Sequence, residues 1–215
     1  MPFPLASGAE ARWTGSPGEG AVVCVNGGTA AAVPGTWSAS VEWLVRRLAG
    51  HFPSLGFLEV RYRIKSWQRL DLCVEDGRAA LDAAREAGAE RIALLAFSMG
   101  GSVAVRNAAT PAVESVVGVN PWLPPQLDLA PLAGKRLSIV HGSLDAPLPG
   151  IPGVKPSMSA TAAERARTLG AEVERTMVRG FHAVALRRRN GSLLPVPGAR
   201  GYGDFVRREL DGFCA

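Results

Sequence analysis

Short runs of β-favouring apolar residues alternate along this chain with segments whose apolar residues recur at helical spacing, and few architectures accommodate that alternation. The strand-like runs are Ala21–Val25, Phe57–Tyr62, Arg91–Phe97, Ser115–Val119, Arg136–Val140 and Glu172–Val178. Ala21–Val25 is apolar throughout, the pattern of a strand buried on both faces. Phe57–Tyr62 interleaves Leu58, Val60 and Tyr62 with Glu59 and Arg61, which predicts a less buried strand. Val41, Leu44, Val45 and Leu48 form one helix face, with Gly50 as its stop. Cys73, Gly77, Ala80, Leu81 and Ala84 give Asp71–Glu86 a face of mostly small residues that can sit close on a sheet, and Gly88 ends it. Further helices are predicted over Ser98–Ala109, stopped before Pro111, near Ala160–Leu169, and at the C-terminus, where Tyr202, Phe205, Val206, Leu210 and Phe213 share a face. The class is α/β, a mainly parallel central sheet with helices on both faces, in one domain over residues 1–215. One antiparallel edge strand is expected around Ala9–Trp13.

Composition narrows the function classes. At 47% hydrophobic and 20% charged, the chain has the balance of a globular domain rather than of a disordered or coiled-coil one. Its longest apolar runs fall far below the ~18 residues of a membrane helix. Met1–Gly20 is broken by Pro and Gly and lacks the basic-then-apolar order of a secretory signal, so a cytoplasmic protein without a membrane partner is expected. Cys24, Cys73 and Cys214 leave one thiol unpaired in any pairing, and no two stand at metal-ligand spacing, so neither a disulfide framework nor a metal site is expected. The net charge of +5 comes mostly from arginines scattered apart from Arg187-Arg188-Arg189, a solvated face rather than a nucleic-acid surface.

The tract that carries chemistry is Leu94-Leu95-Ala96-Phe97-Ser98-Met99-Gly100-Gly101-Ser102-Val103, a strand ending at a serine that opens directly into a small-residue helix. It resembles the nucleophile elbow of the α/β-hydrolase superfamily, in which G-x-S-x-G places serine on a strained turn above the sheet; here Ala96 replaces the first glycine. A serine hydroxyl needs a base, and the base needs a carboxylate to orient it. The superfamily's chain order of serine, acid, histidine then implies the partners. His51 precedes Ser98, at a connection expected at the opposite end of the sheet. His141 stands in His141-Gly142-Ser143-Leu144-Asp145, which resembles the family's H-G-x-x-D segment, where the Asp is the acid and the His is structural. His182, in Gly180-Phe181-His182-Ala183 after the last strand, takes the place of the catalytic histidine. The resemblance spans Ala21 to Phe213 and implies a triad of Ser98, Asp145 and His182.

It also implies two donors for the oxyanion of a tetrahedral intermediate: the N–H of Met99, and that of Gly28 or, failing it, Thr29, in Asn26-Gly27-Gly28-Thr29, where Asn26 stands for the family's histidine. Trp37, Trp67 and Trp122 leave the C-terminal ends of strands, where open α/β sheets bind ligands, and are candidates to shape an acyl pocket. The short Asn120–Gly134 connection and the Pro-rich 147–156 stretch leave no room for a helical lid. The type is that of compact lidless serine esterases and dienelactone-hydrolase-like proteins, although dienelactone hydrolases proper place cysteine where Ser98 stands. Without metal or cofactor, the implied reaction is hydrolysis of small or exposed esters through an acyl-enzyme. A thioesterase acting on CoA- or carrier-bound acyl groups, with Arg187–Arg189 meeting phosphate, would use the same triad. A catalytically silent binding protein on the same fold is the alternative from another class.

Overall fold

The computed structural model describes residues 1–18, 20–146 and 153–215. Its central sheet is built from β1 (Phe3–Pro4), β2 (Glu10–Thr14), β3 (Gly20–Val25), β4 (Leu55–Arg61), β5 (Arg91–Phe97), β6 (Val113–Val119), β7 (Arg136–Gly142) and β8 (Glu172–Val178). They lie in the order β1-β2-β4-β3-β5-β6-β7-β8; β2 runs antiparallel to both of its neighbours, and every other pair is parallel. The helices are α1 (Ala39–Leu48), α2 (Leu70–Glu86), α3 (Gly100–Asn107), α4 (Pro156–Thr168) and α5 (Ala199–Cys214).

Alternation along the strands divides the interior into two cores. Val23, Val25, Ile92 and Leu94 face α2, α3 and α4, meeting Leu81, Ala84, Val103 and Ala163. Val22, Cys24, Ala93 and Leu95 face α1 and α5, meeting Val41, Leu44, Tyr202 and Phe205. Each Val, Leu or Ile side chain buried in this way contributes ~1.5–3 kcal/mol.

The chain departs from its sequence reading in a few places. Residues before β3 supply two strands rather than one, because Phe3–Pro4 adds a second antiparallel pair outside Glu10–Thr14. That addition changes β4, which is buried for six of its seven residues rather than half-exposed, since β2 pairs along its outer edge. Glu59 in β4 is only 3% exposed, and Arg12 of β2 contacts it through Nε and Nη2, each at 2.9 Å. The helix after β5 begins at Gly100 rather than Ser98, and α1 passes Gly50 in a 3₁₀ turn over Ala49–His51. Between β6 and β7 the regular structure is a single 3₁₀ turn, Ala130–Leu132. Of the Pro-rich 147–156 stretch, residues 147–152 lie outside the described residues, and Pro156 opens α4, where its missing N–H costs nothing.

The register places the site. Val25 pairs with Ala96, Phe97 with Val119, Val119 with Val140, and Gly142 with Val178, so the C-terminal ends of β3, β5, β6, β7 and β8 finish nearly level. From β3 the chain moves outward to β4 and then crosses back to β5, which makes the gap between the ends of β3 and β5 the topological switch point.

Candidate active site

Ser98 occupies that gap. Its φ is 55°, left-handed for a residue with a Cβ, and the turn is held by its N–H donating to Val119 O at 3.1 Å and its carbonyl accepting from Trp122 N at 2.7 Å. The glycine two residues on has a packing cause. A Cβ on Gly100 would lie 2.5 Å from Val25 O, so only glycine lets α3 start this close to the end of β3.

Nε2 of His182 lies 2.9 Å from Ser98 Oγ, and its Nδ1 lies 2.8 Å from Asp145 Oδ2. A carboxylate oxygen can only accept, so the Nδ1 facing it carries the proton and Nε2 presents a lone pair to the serine hydroxyl. Phe97 packs on the imidazole with ring centroids 5.3 Å apart. Burial alone would push the Asp145 carboxyl up; hydrogen bonds from His141 and His182 and from the N–H of Val154 hold it below the usual carboxylate range. The second histidine is part of this set: His141 Nε2 lies 3.1 Å from Asp145 Oδ2 and 2.9 Å from Val154 O. His51 is exposed on the 3₁₀ turn that precedes β4, at the other end of the sheet.

The loop after β3 lies against this serine. A Cβ on Gly27 would stand 3.2 Å from Ser98 Cβ, and one on Gly28 would overlap Met99 Sδ. Among the described residues, the N–H groups of Gly28 and Met99 have no hydrogen-bond partner, which leaves both free for an external acceptor. Thr29, the fallback donor, does not line the cavity at Ser98 as Gly28 does; its hydroxyl meets Ala31 O and Lys65 O, and its carbonyl accepts from Trp67 N. Asn26 anchors the loop to the end of β4, its side-chain amide donating to Val60 O and its N–H to Tyr62 Oη at 3.0 Å.

No protein-family model matches the sequence, and a search of curated proteins finds no match. Solved structures do match. An α/β serine hydrolase homologue from Coxiella burnetii is 17% identical with a TM-score of 0.67, over 100% of this chain and 96% of that one. A carboxylesterase from Mesorhizobium loti is 17% identical with a TM-score of 0.65, over 98% and 99% of the two chains. An α/β serine hydrolase without a lid, from Xanthomonas campestris, is 13% identical with a TM-score of 0.60, over 85% and 84%. The fold is that of the α/β-hydrolases. The Coxiella match covers the whole chain, whereas the sequence resemblance spans Ala21 to Phe213.

Within this α/β-hydrolase fold, two cavities meet at Ser98. One, of about 270 Å³, runs from Gly27, Gly28 and His182 toward Ser38, Lys65 and Leu186. The other, of about 340 Å³, lies between Trp67, Trp122, Val154 and Met158, with Lys155 at its edge. Trp67 and Trp122 stack with centroids 6.4 Å apart and form one wall. Trp37 lines neither cavity. It covers the guanidinium of Arg12 at 4.3 Å and that of Arg61 at 5.7 Å, so the candidate pocket residue instead caps the ion cluster of Arg12 with Glu42 and Glu59. Of the arginines that a thioesterase would turn to phosphate, Arg187 pairs through Nη2 with Glu42 at 2.7 Å, and all three are exposed.

Sequence reasoning missed Asn120. It has a φ of 47° and its side-chain amide reaches the His182 loop, and the signal available was the Asn-Pro dipeptide at a strand end, which marks a turn but not its partners. Helical spacing places Tyr202 on the apolar face of α5, and its hydroxyl donates to Phe181 O at 2.6 Å.

Proposed function

We propose that this chain is a serine hydrolase that cleaves carboxylic esters of small or exposed acyl groups through an acyl-enzyme. The observation that carries the reading is the continuous relay from Asp145 Oδ2 to His182 Nδ1 at 2.8 Å and from His182 Nε2 to Ser98 Oγ at 2.9 Å. As Ser98 Oγ attacks an ester carbonyl, His182 Nε2 takes its proton, and the Asp145 carboxylate stabilises the imidazolium that forms. The carbonyl oxygen becomes an oxyanion between the N–H groups of Met99 and Gly28, which have no hydrogen-bond partner among the described residues. His182 then returns the proton to the leaving alkoxide, and a water deprotonated by the same nitrogen hydrolyses the acyl-serine.

A thioesterase acting on CoA- or carrier-bound acyl groups would use the same relay, and the turnover of acyl-CoAs against p-nitrophenyl esters separates the two.

The reading is tested by labelling with a fluorophosphonate and by turnover of p-nitrophenyl esters and acyl-CoAs. The expected result is one label per chain on the wild type, none on Ser98→Ala, and loss of ester hydrolysis in that variant with the fold intact. Asp145→Asn is expected to lose about 10²–10⁴-fold in kcat by presenting the wrong partner to Nδ1. A Ser98→Ala protein within about tenfold of wild-type activity would overturn the assignment.

A further inference from the structure

We propose that Asn120 is the positioning residue that sets the nucleophile, the acid and the base of this site at working distance from one another; the proposal rests on the hydrolase reading above. Asn120 follows the last residue of β6, is fully buried, and holds a φ of 47°. Left-handed backbone is uncommon for any residue with a Cβ, and the following Pro121 biases its predecessor toward extended geometry. Two local preferences are therefore overridden here, and the contacts made in return account for it.

Asn120 touches the supports of all three groups. Its neighbours in the chain bracket the nucleophile, since Val119 O accepts from Ser98 N at 3.1 Å and Trp122 N donates to Ser98 O at 2.7 Å. On the acid side, Asn120 N donates to Val140 O at 2.9 Å, and Asn120 Oδ1 accepts from Gly142 N at 2.8 Å. The carbonyl of that same Gly142 accepts from Asp145 N at 3.1 Å, so the turn carrying the acid hangs from this amide. On the base side, Asn120 Nδ2 lies 3.0 Å from Phe181 O and 2.7 Å from His182 O. Tyr202 completes the clamp, with Oη 3.1 Å from Nδ2 and its own proton on Phe181 O at 2.6 Å.

The amide orientation follows from these partners. A backbone N–H on one side and two carbonyls on the other admit only one placement of the oxygen and the nitrogen. Asn has the length, the donor pair and the acceptor that this position requires at once. Asp keeps the acceptor but turns an oxygen on two buried carbonyls, and Ser is too short to span them. Because Asn120 contacts no reacting atom, its effect passes through the placement of His182 and Asp145, and misplacement by about 1 Å can cost on the order of 10²-fold in rate.

The test compares wild type, Asn120→Asp and Tyr202→Phe, the last removing a single hydroxyl from a ring that stays packed. Three quantities are read for each: the fraction of chains labelled by a fluorophosphonate at completion, the labelling rate constant, and kcat and KM for p-nitrophenyl acetate. The expected result is near-complete labelling throughout, KM within about twofold of wild type, and losses in both labelling rate and kcat of about ten- to a hundredfold for Asn120→Asp and about three- to tenfold for Tyr202→Phe. A reduced labelled fraction with wild-type rate per labelled site would overturn the proposal, since that is the signature of a residue that only supports folding. Wild-type kcat in Tyr202→Phe, read alone if Asn120→Asp does not fold, would overturn it as well. A wild-type chain that takes up no label is a different result: it overturns the hydrolase reading and this inference with it.

Discussion

His141 Nε2 stands 3.1 Å from Asp145 Oδ2, and both side chains are fully buried. The nitrogen is also 2.9 Å from the carbonyl of Val154, so two acceptors surround it and it must carry the ring's proton. His141 Nδ1 has no partner among the described residues, which leaves Nε2 as the working end of the ring. Asp145 thus receives one histidine from below, in its own strand-end segment, and a second from the loop beyond β8.

That pairing predicts a pH-dependent penalty for losing His141. The folded-state carboxyl of Asp145 is held below its ordinary value, so its hydrogen bonds contribute stability that is fully present above the unfolded-state pKa of about 3.9 and is lost as pH falls through the lower folded value. In His141→Leu one of the bonds that hold it down is gone. The variant should be less stable than wild type in urea unfolding near pH 7 by about 1.5–3 kcal/mol, the range for a hydrogen bond to a charged group. The gap should narrow as the pH is taken below about 4. A gap that is the same at both pH values would mean that His141 acts through packing alone.

Glycines 28 and 100 should respond differently to the same added methyl. At Gly28 the new Cβ would displace the sulfur end of Met99, a flexible side chain, and would shift the loop that lines the cavity at Ser98. Gly28→Ala is therefore expected to fold and to lose about tenfold or more in kcat, the direction set by weakening one of the two proposed oxyanion donors. At Gly100 the Cβ would meet the carbonyl oxygen of Val25 at 2.5 Å, a backbone atom in the central sheet that cannot move aside. Gly100→Ala should cost about 1–3 kcal/mol of stability. Thermal melts and kinetics on the two variants separate these outcomes, and equal melting points would contradict the packing argument.

The contrast between these two glycines and Asn120 shows where a sequence is informative. Ser98, Gly100, Asp145 and His182 each sit where a strand ends, and a strand end followed by a special residue is a local pattern. The central strands and the terminal helix are legible for the same reason, because period-2 and period-3.6 apolar spacing is local as well. What was not legible depends on pairings between distant segments. Asn120 meets residues 22, 61, 62 and 82 positions away, and nothing in its own neighbourhood names them. Trp37 reads as a pocket residue from its place after β3, but Arg12 and Arg61 lie beneath it only once β2 has paired with β4. The burial of Glu59 was missed for the same cause, since the strand that covers it comes from the first fourteen residues.

Thiol chemistry should leave the activity untouched. Cys24 and Cys73 are buried, and burial pushes both thiols up, that of Cys73 to about 11, so neither is a thiolate near neutral pH. Cys214 is exposed at the end of α5. Iodoacetamide on the native chain is expected to modify Cys214 alone, as read by peptide mass mapping, and to leave p-nitrophenyl ester turnover within about twofold of the untreated protein. Inactivation in step with alkylation would place a cysteine in the reaction and contradict the role given to Ser98.

Substrate length is the property most directly set by the walls of the site. The two cavities that meet at Ser98 are about 270 and 340 Å³, near the small end of the ~300–1,000 Å³ range of ligand pockets. Trp67 and Trp122, stacked on each other, wall the larger of them, and the β6–β7 connection supplies one 3₁₀ turn rather than a helical cover. A long acyl chain would have to leave these cavities for water, losing the ~0.8 kcal/mol that each buried methylene gains, so kcat/KM should stop rising with chain length early. The expectation is a maximum among p-nitrophenyl esters of about two to six acyl carbons. Trp122→Ala should move it toward longer chains by opening the wall, while the Ser98–His182 contact stays intact. Fastest turnover of esters of about twelve carbons or more, rising sharply once the substrate forms an interface, would show that a long chain is enclosed and would contradict an open site even with Ser98 as the nucleophile.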